Sequence, residues 1–75
     1  MKSDRIEPVA LDARRLAESL GISTRHLESL LATGQLPLPV RLGRRRVWPV
    51  DEVRAWLEAG APPRDRWMVL RDQEG

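Results

Sequence analysis

The 75-residue chain has no cysteine and a single histidine, His26. Disulfide cross-links are therefore excluded, and so is a zinc site of the usual Cys/His type; no metal or cofactor is expected. Phenylalanine and tyrosine are absent, and three tryptophans supply all the aromatic surface. Lysine occurs once, at Lys2, so twelve of the thirteen basic residues are arginine. No stretch approaches the ~18 consecutive apolar residues of a membrane span, and Met1-Lys2-Ser3-Asp4-Arg5 leads into no apolar signal core. The expectation is a soluble chain with no membrane partner, and the missing cysteine fits a reducing cytoplasm.

What is present fits one small domain. A chain this short buries only about 60% of the surface exposed on unfolding, so its stability must come from helix packing, association or a bound partner. The net charge of +2 says little. Arginine offers a planar fork of donors that matches phosphate oxygens and the guanine edge. A GC-rich genome also enriches arginine, so its placement matters more than its abundance.

Residues 1–8 are polar, end in Pro8 and read as a flexible or extended leader. Asp12 is a good N-cap, and Leu11 and Leu16 flank it at the spacing of a hydrophobic staple. Leu16, Ala17 and Leu20 form an apolar stripe, Arg14, Arg15 and Glu18 face outward, and Gly21 ends the helix. The pattern repeats with Ser23 as cap, Ile22 and Leu27 as staple, Leu30 and Leu31 on the apolar face, and Gly34 as terminator. A connection as tight as Leu20-Gly21-Ile22-Ser23 predicts two steeply crossed helices, a helix-turn-helix. Ala17, Gly21 and Leu27 stand at its spacing: a small residue where the helices cross, a permissive turn, and a leucine that locks the second helix down.

Leu36-Pro37-Leu38-Pro39 cannot be helical. Val40-Arg41-Leu42 and Arg46-Val47-Trp48 read as strands flanking a Gly43-Arg44-Arg45 turn, with either Val47 or Trp48 facing inward. Pro49 ends the second strand. A third helix is predicted from about Val50 to Ala59, with Val50, Val53, Trp56 and Leu57 on its apolar face and Asp51-Glu52 at its positive end. Gly60 and Pro62-Pro63 stop it. Residues 61–75 form a tail whose Trp67-Met68-Val69-Leu70 run is compatible with helix, strand or disorder. The run either covers the domain's own core or joins protomers. The expected fold is mostly α with a small β-hairpin: three helices plus a wing over residues 9–60.

In a helix-turn-helix the second helix enters the major groove and offers its N-terminal residues to base edges. Those residues are Ser23, Thr24, Arg25 and His26, with Glu28 and Ser29 a turn later. Arg25 suits bidentate contact with guanine; Ser23 and Thr24 suit phosphate at the helix start, though Ser23 is also simply a cap. Glu28 suits a cytosine amino group or the orientation of Arg25. His26, with no second catalytic group beside it, suits packing or phosphate contact. Arg44, Arg45 and Arg46 at the hairpin tip, with Arg41 facing them, repel one another unless phosphates or a narrow minor groove offset the charge; an exposed, solubilising turn is the plainer alternative.

Residues 11–23, Gly34-Gln35-Leu36-Pro37, Val40–Arg46 and Val53-Arg54-Ala55-Trp56-Leu57 together resemble the MerR-like winged helix-turn-helix of phage excisionases and AlpA-type regulators. Related domains occur in phage small terminase subunits. The resemblance spans roughly residues 9–60 and implies major-groove reading by the second helix and wing contact with the adjacent backbone or minor groove. The long coiled-coil helix and effector domain of full MerR regulators have no counterpart in these residues. Double-stranded DNA is the expected partner, bound by an excisionase-like recombination directionality factor or a small transcription regulator. Assembly of copies on DNA and an integrase or other recombination partner go with the excisionase form. A terminase-type DNA-binding module, or an adaptor that docks another protein, is the competing role. No nucleophile–base pair, Gly-rich phosphate loop or metal-ligand set suggests an enzyme.

Overall fold

The computed structural model describes residues 8–74, so the leader expected over residues 1–8 lies, apart from Pro8, outside the described residues. Strand β1 (Ala10–Leu11) leads into helices α1 (Ala13–Leu20) and α2 (Thr24–Ala32). Strands β2 (Val40–Leu42) and β3 (Arg45–Pro49) follow, then helices α3 (Val50–Glu58) and α4 (Arg64–Glu74). The expected architecture is present, mostly helical with a small antiparallel sheet. It carries one more strand and one more helix than the sequence suggested.

Both predicted caps form. The Asp12 carboxylate accepts the Arg15 N–H at 2.9 Å, and the Ser23 hydroxyl accepts the His26 N–H at 3.0 Å. Between them Gly21 adopts φ +74°. That left-handed geometry lets the Gly21 and Ile22 N–H groups reach the Glu18 and Ala17 carbonyls at 3.1 and 3.0 Å, closing α1 in a Schellman motif. The turn thus follows from glycine at one position, and a β-carbon there would strain the backbone although no neighbour crowds it.

The sheet order is β1-β3-β2, with β3 central. Leu42 pairs with Arg45, so the hairpin turn is two residues, Gly43-Arg44, rather than the three expected. Gly43 has φ +65° and Arg44 a negative φ, the pattern of a type II′ turn, whose twist matches that of the strands it joins. Arg45 therefore belongs to β3. Pro49 is its last residue and leads directly into α3. Strand β1 is too short to show alternation in sequence; it pairs through Leu11 and Trp48, and the Val50 N–H reaches the Val9 carbonyl at 2.9 Å.

The core comprises Leu16, Ala17, Leu27, Leu36, Trp48, Val53, Trp56 and Trp67. Trp48, rather than Val47, faces inward and is 1% exposed. Leu57 departs from the expected apolar face of α3 and is 47% exposed, because Val53 and Trp56 take the inward positions. Each indole N–H has a partner: Trp48 donates to the Pro37 carbonyl at 2.8 Å, Trp56 to that of Pro62 at 2.9 Å, and Trp67 to Glu52 at 2.9 Å. Burying a tryptophan without a partner for its N–H would be costly, and these bonds also pin three loop or helix segments.

The segment after residue 61 resolves into α4. Trp67 is buried and Leu70 packs on the core, while Met68 and Val69 point outward. No helix among the described residues is long and apolar enough to cross a membrane.

Candidate nucleic-acid interface

Helix α2 turns Leu27, Leu30 and Leu31 toward the protein and leaves Thr24, Arg25, His26, Glu28 and Ser29 exposed. Arg25, Glu28 and Ser29 stand at i, i+3 and i+4 and so share one outward stripe. The Ser23 hydroxyl is occupied as the cap of this helix. The first helical N–H groups of α2, on Thr24 and Arg25, are the donors a helix start leaves over. Replacing Ser23 by Ala should lower stability by about 1 kcal/mol, measured by urea unfolding, because the His26 N–H loses its acceptor.

The wing is joined to this helix by one side-chain pair. Arg46 donates through both terminal nitrogens to both Glu28 oxygens, at 2.6 and 3.3 Å, and its guanidinium lies 5.8 Å from the Trp48 ring centre. Glu28 therefore orients Arg46 and not Arg25. A second tie runs from Arg45 to the Asp12 carboxylate at 2.8 Å. The same carboxylate caps α1 with its other oxygen, so Asp12 links the start of the first helix to the wing.

Arg25, Arg41 and Arg44 are exposed and make no hydrogen bond or ion pair with another described residue. Arg41 lies opposite Arg46 in the hairpin and shares its sheet face. The Glu28–Arg46 pair thus makes the exposed stripe of α2 and the Arg41 face of the wing one continuous surface. The sequence-predicted residues are brought together, but they divide: three arginines are free, and Arg45 and Arg46 are held.

Arg15 was not singled out by motif, yet its charge acts on Asp12 beside Arg45 and adds an exposed cation at the α1 end of the wing. Arg64, which sequence placed in the tail, is also structural. Its guanidinium donates to the Leu36 and Leu31 carbonyls at 2.9 and 2.8 Å, and its N–H to the Gly34 carbonyl at 2.8 Å. It thereby fixes the loop that runs from α2 to the wing. An arginine among charged neighbours gives no sequence signal for this role.

The hydrogen bonds from Arg46 hold the Glu28 carboxyl below its ordinary value of 4.5, with desolvation opposing and the Arg46 charge assisting. Asp12 is lowered from 3.8, first by the Arg15 N–H and then, against desolvation, by the charges of Arg45 and Arg15. A carboxyl whose folded value is depressed contributes stability that is complete above its unfolded value and is lost as pH falls through the folded one. Wing ordering should thus be constant from pH 7 to about 5 and weaken below 4.5, by ~0–1 kcal/mol for the half-exposed Glu28–Arg46 pair. Amide exchange in β2 and β3 across this range measures it, and Glu28→Gln should remove the Glu28 share of the dependence while leaving that of Asp12.

No group of three or more His, Asp or Glu residues among the described residues is arranged to hold a metal. The family model for the helix-turn-helix domain matches residues 10–61, well over half of the chain. No curated protein and no solved structure gives a significant match.

Proposed function

The chain belongs to the helix-turn-helix domain family, a DNA-binding fold, and from that premise we propose that it reads a short double-stranded DNA site in the MerR-like, winged manner. In this reading α2 lies in the major groove with Arg25 against a guanine, and Thr24, His26 and Ser29 border the adjacent backbone. Arg41 and Arg44 of the wing face the neighbouring backbone or minor groove. The role is binding without catalysis. The observation that carries the proposal is the Glu28–Arg46 pair, which sets the free arginines of helix and wing on one surface.

The biological setting proposed is an excisionase-like recombination directionality factor or a small transcription regulator. One module with so few cations binds weakly alone, so several copies on adjacent sites, and an integrase or other recombination protein as partner, belong to the excisionase form. Met68 and Val69, exposed on the outer side of α4, would supply apolar contact between copies.

Selection from a random duplex pool with the purified chain tests the reading. A recurring short motif is expected, and Arg25→Ala should relax preference at one position of it with a loss of ~1–3 kcal/mol in discrimination. A motif beside an attachment site marks recombination, and one upstream of a gene marks transcription. Recovery of no motif, with binding to another protein instead, would favour the adaptor role. Leu42 and Val40, 64% and 48% exposed on the outer side of the wing, are what that role would use.

A further inference from the structure

The three consecutive arginines of the wing look equivalent in sequence, and the structure separates them. Arg44 occupies the turn with its charge free. Arg45 and Arg46 point to opposite faces of β3, as alternation requires, and each meets a carboxylate from a different helix. Arg45 meets Asp12 at the start of α1, and Arg46 meets Glu28 in the middle of α2. A hairpin of strands this short would sway on its own. Pairing with β1 and the burial of Trp48 hold the base of β3, and the two ties hold its outer end from opposite faces, one to the α1 cap and one to α2.

We infer that the two-pronged Glu28–Arg46 pair is the mooring of the wing, that Arg46 is a positioning residue, and that Arg44 and Arg41 are phosphate ligands of the wing; Arg45, joined to Asp12 through one nitrogen and mostly exposed, is a looser tie. The inference rests on the DNA-binding reading above and deepens it. A guanidinium that shares both its terminal nitrogens with a carboxylate is already neutralised, so it displaces few counterions when a duplex arrives. Were Arg46 to leave for a phosphate, Glu28 would be left as a bare carboxylate facing a polyanion. The geometry at 2.6 and 3.3 Å instead keeps the pair closed and holds the phosphate ligands at one offset from Arg25. Fixing that offset before binding favours the site whose bases and backbone both fit, which raises specificity more than affinity.

The experiment measures binding of the full chain to a selected duplex and to a random-sequence duplex over a salt series. Three variants are compared with the parent: Arg44→Gln, Glu28→Gln, and the double change Glu28→Gln with Arg46→Gln, which leaves the net charge unaltered. Each lost phosphate contact lowers the slope of log K against log[salt] by about 0.9. Arg44→Gln should show that drop on both duplexes. The double variant should keep the parental slope on random duplex and lose about tenfold in the ratio of specific to non-specific binding. Glu28→Gln alone should release Arg46, steepening the slope by up to about 0.9 while the ratio falls. This single variant serves if the double one fails to fold. A drop of about 0.9 in the double variant would make Arg46 a phosphate ligand and overturn the mooring. An unchanged ratio in both would also overturn it. A parent that binds neither duplex defeats the DNA reading itself, which is a separate outcome.

Discussion

Trp67→Ala is expected to remove ~3–5 kcal/mol of stability, between roughly a third and all of what a chain of this size holds. Trp67 is 6% exposed and joins Trp56 and Val53 in the core. Its indole N–H and the Arg71 guanidinium converge on one oxygen of Glu52, at 2.9 and 2.7 Å, clasping α4 to α3. Truncating a buried tryptophan costs ~3–5 kcal/mol. At 0.05–0.15 kcal/mol per residue, a 75-residue domain holds only roughly 4–11 kcal/mol in total, and with no cysteine it has no disulfide to add to that. Urea unfolding followed by circular dichroism measures the effect. Met68→Ala and Val69→Ala, on the exposed side of the same helix, should each change stability by less than about 0.5 kcal/mol. Equal effects from all three would mean that α4 does not cover the core.

Arg64→Ala should be the next most damaging change, at about 2–3 kcal/mol. The Leu31 carbonyl, at the end of α2, otherwise accepts a long 3.4 Å bond from the Gly34 N–H; the guanidinium gives it a short one at 2.8 Å and places a cation at the negative end of the helix. The Leu36 carbonyl, in the loop that starts the wing, loses its donor as well. Hydrogen bonds to a charged group contribute ~1.5–3 kcal/mol each, and the partial exposure of Arg64 places the sum toward the low end. Arg64→Lys should recover only part, because a single ammonium group cannot span two carbonyls held by a fork. Since Arg64 and Trp67 lie one turn apart on α4, the double variant should cost less than the two singles together.

The parts of the fold governed by near neighbours were legible in the sequence. Asp12 and Ser23 cap helices because a short side-chain oxygen reaches an N–H three residues on, and Gly21 turns the chain because its φ is positive. These rules act within a few residues. Strand β1 gives no sequence signal, because two residues show no alternation and its partner lies far along the chain. Helix α4 stayed open because one inward tryptophan among arginines and aspartates makes no apolar stripe. Helical spacing predicts Leu57 inward, whereas the facing elements take up only Val53 and Trp56.

The candidate site divides the same way. The exposure of Thr24, Arg25 and His26 follows from the cap at Ser23 and the core position of Leu27, both readable from sequence. The division of the wing arginines does not. Arg45 and Arg46 pair with residues 33 and 18 positions away, and which carboxylate each meets depends on the two-residue turn that sets the strand register. A three-residue turn would leave Arg45 in the loop and set Arg46 opposite Leu42 instead of Arg41.

The most direct test of DNA binding through helix and wing is the salt dependence of affinity for the selected duplex. Log K should fall linearly with log[salt] with a slope of about −2 to −4, as for Arg41 and Arg44 with up to two further exposed cations, Arg15 and Arg25, and Arg25→Ala should weaken the selected site more than random duplex. Binding that is flat in salt, or equal loss on both duplexes in Arg25→Ala, would contradict it.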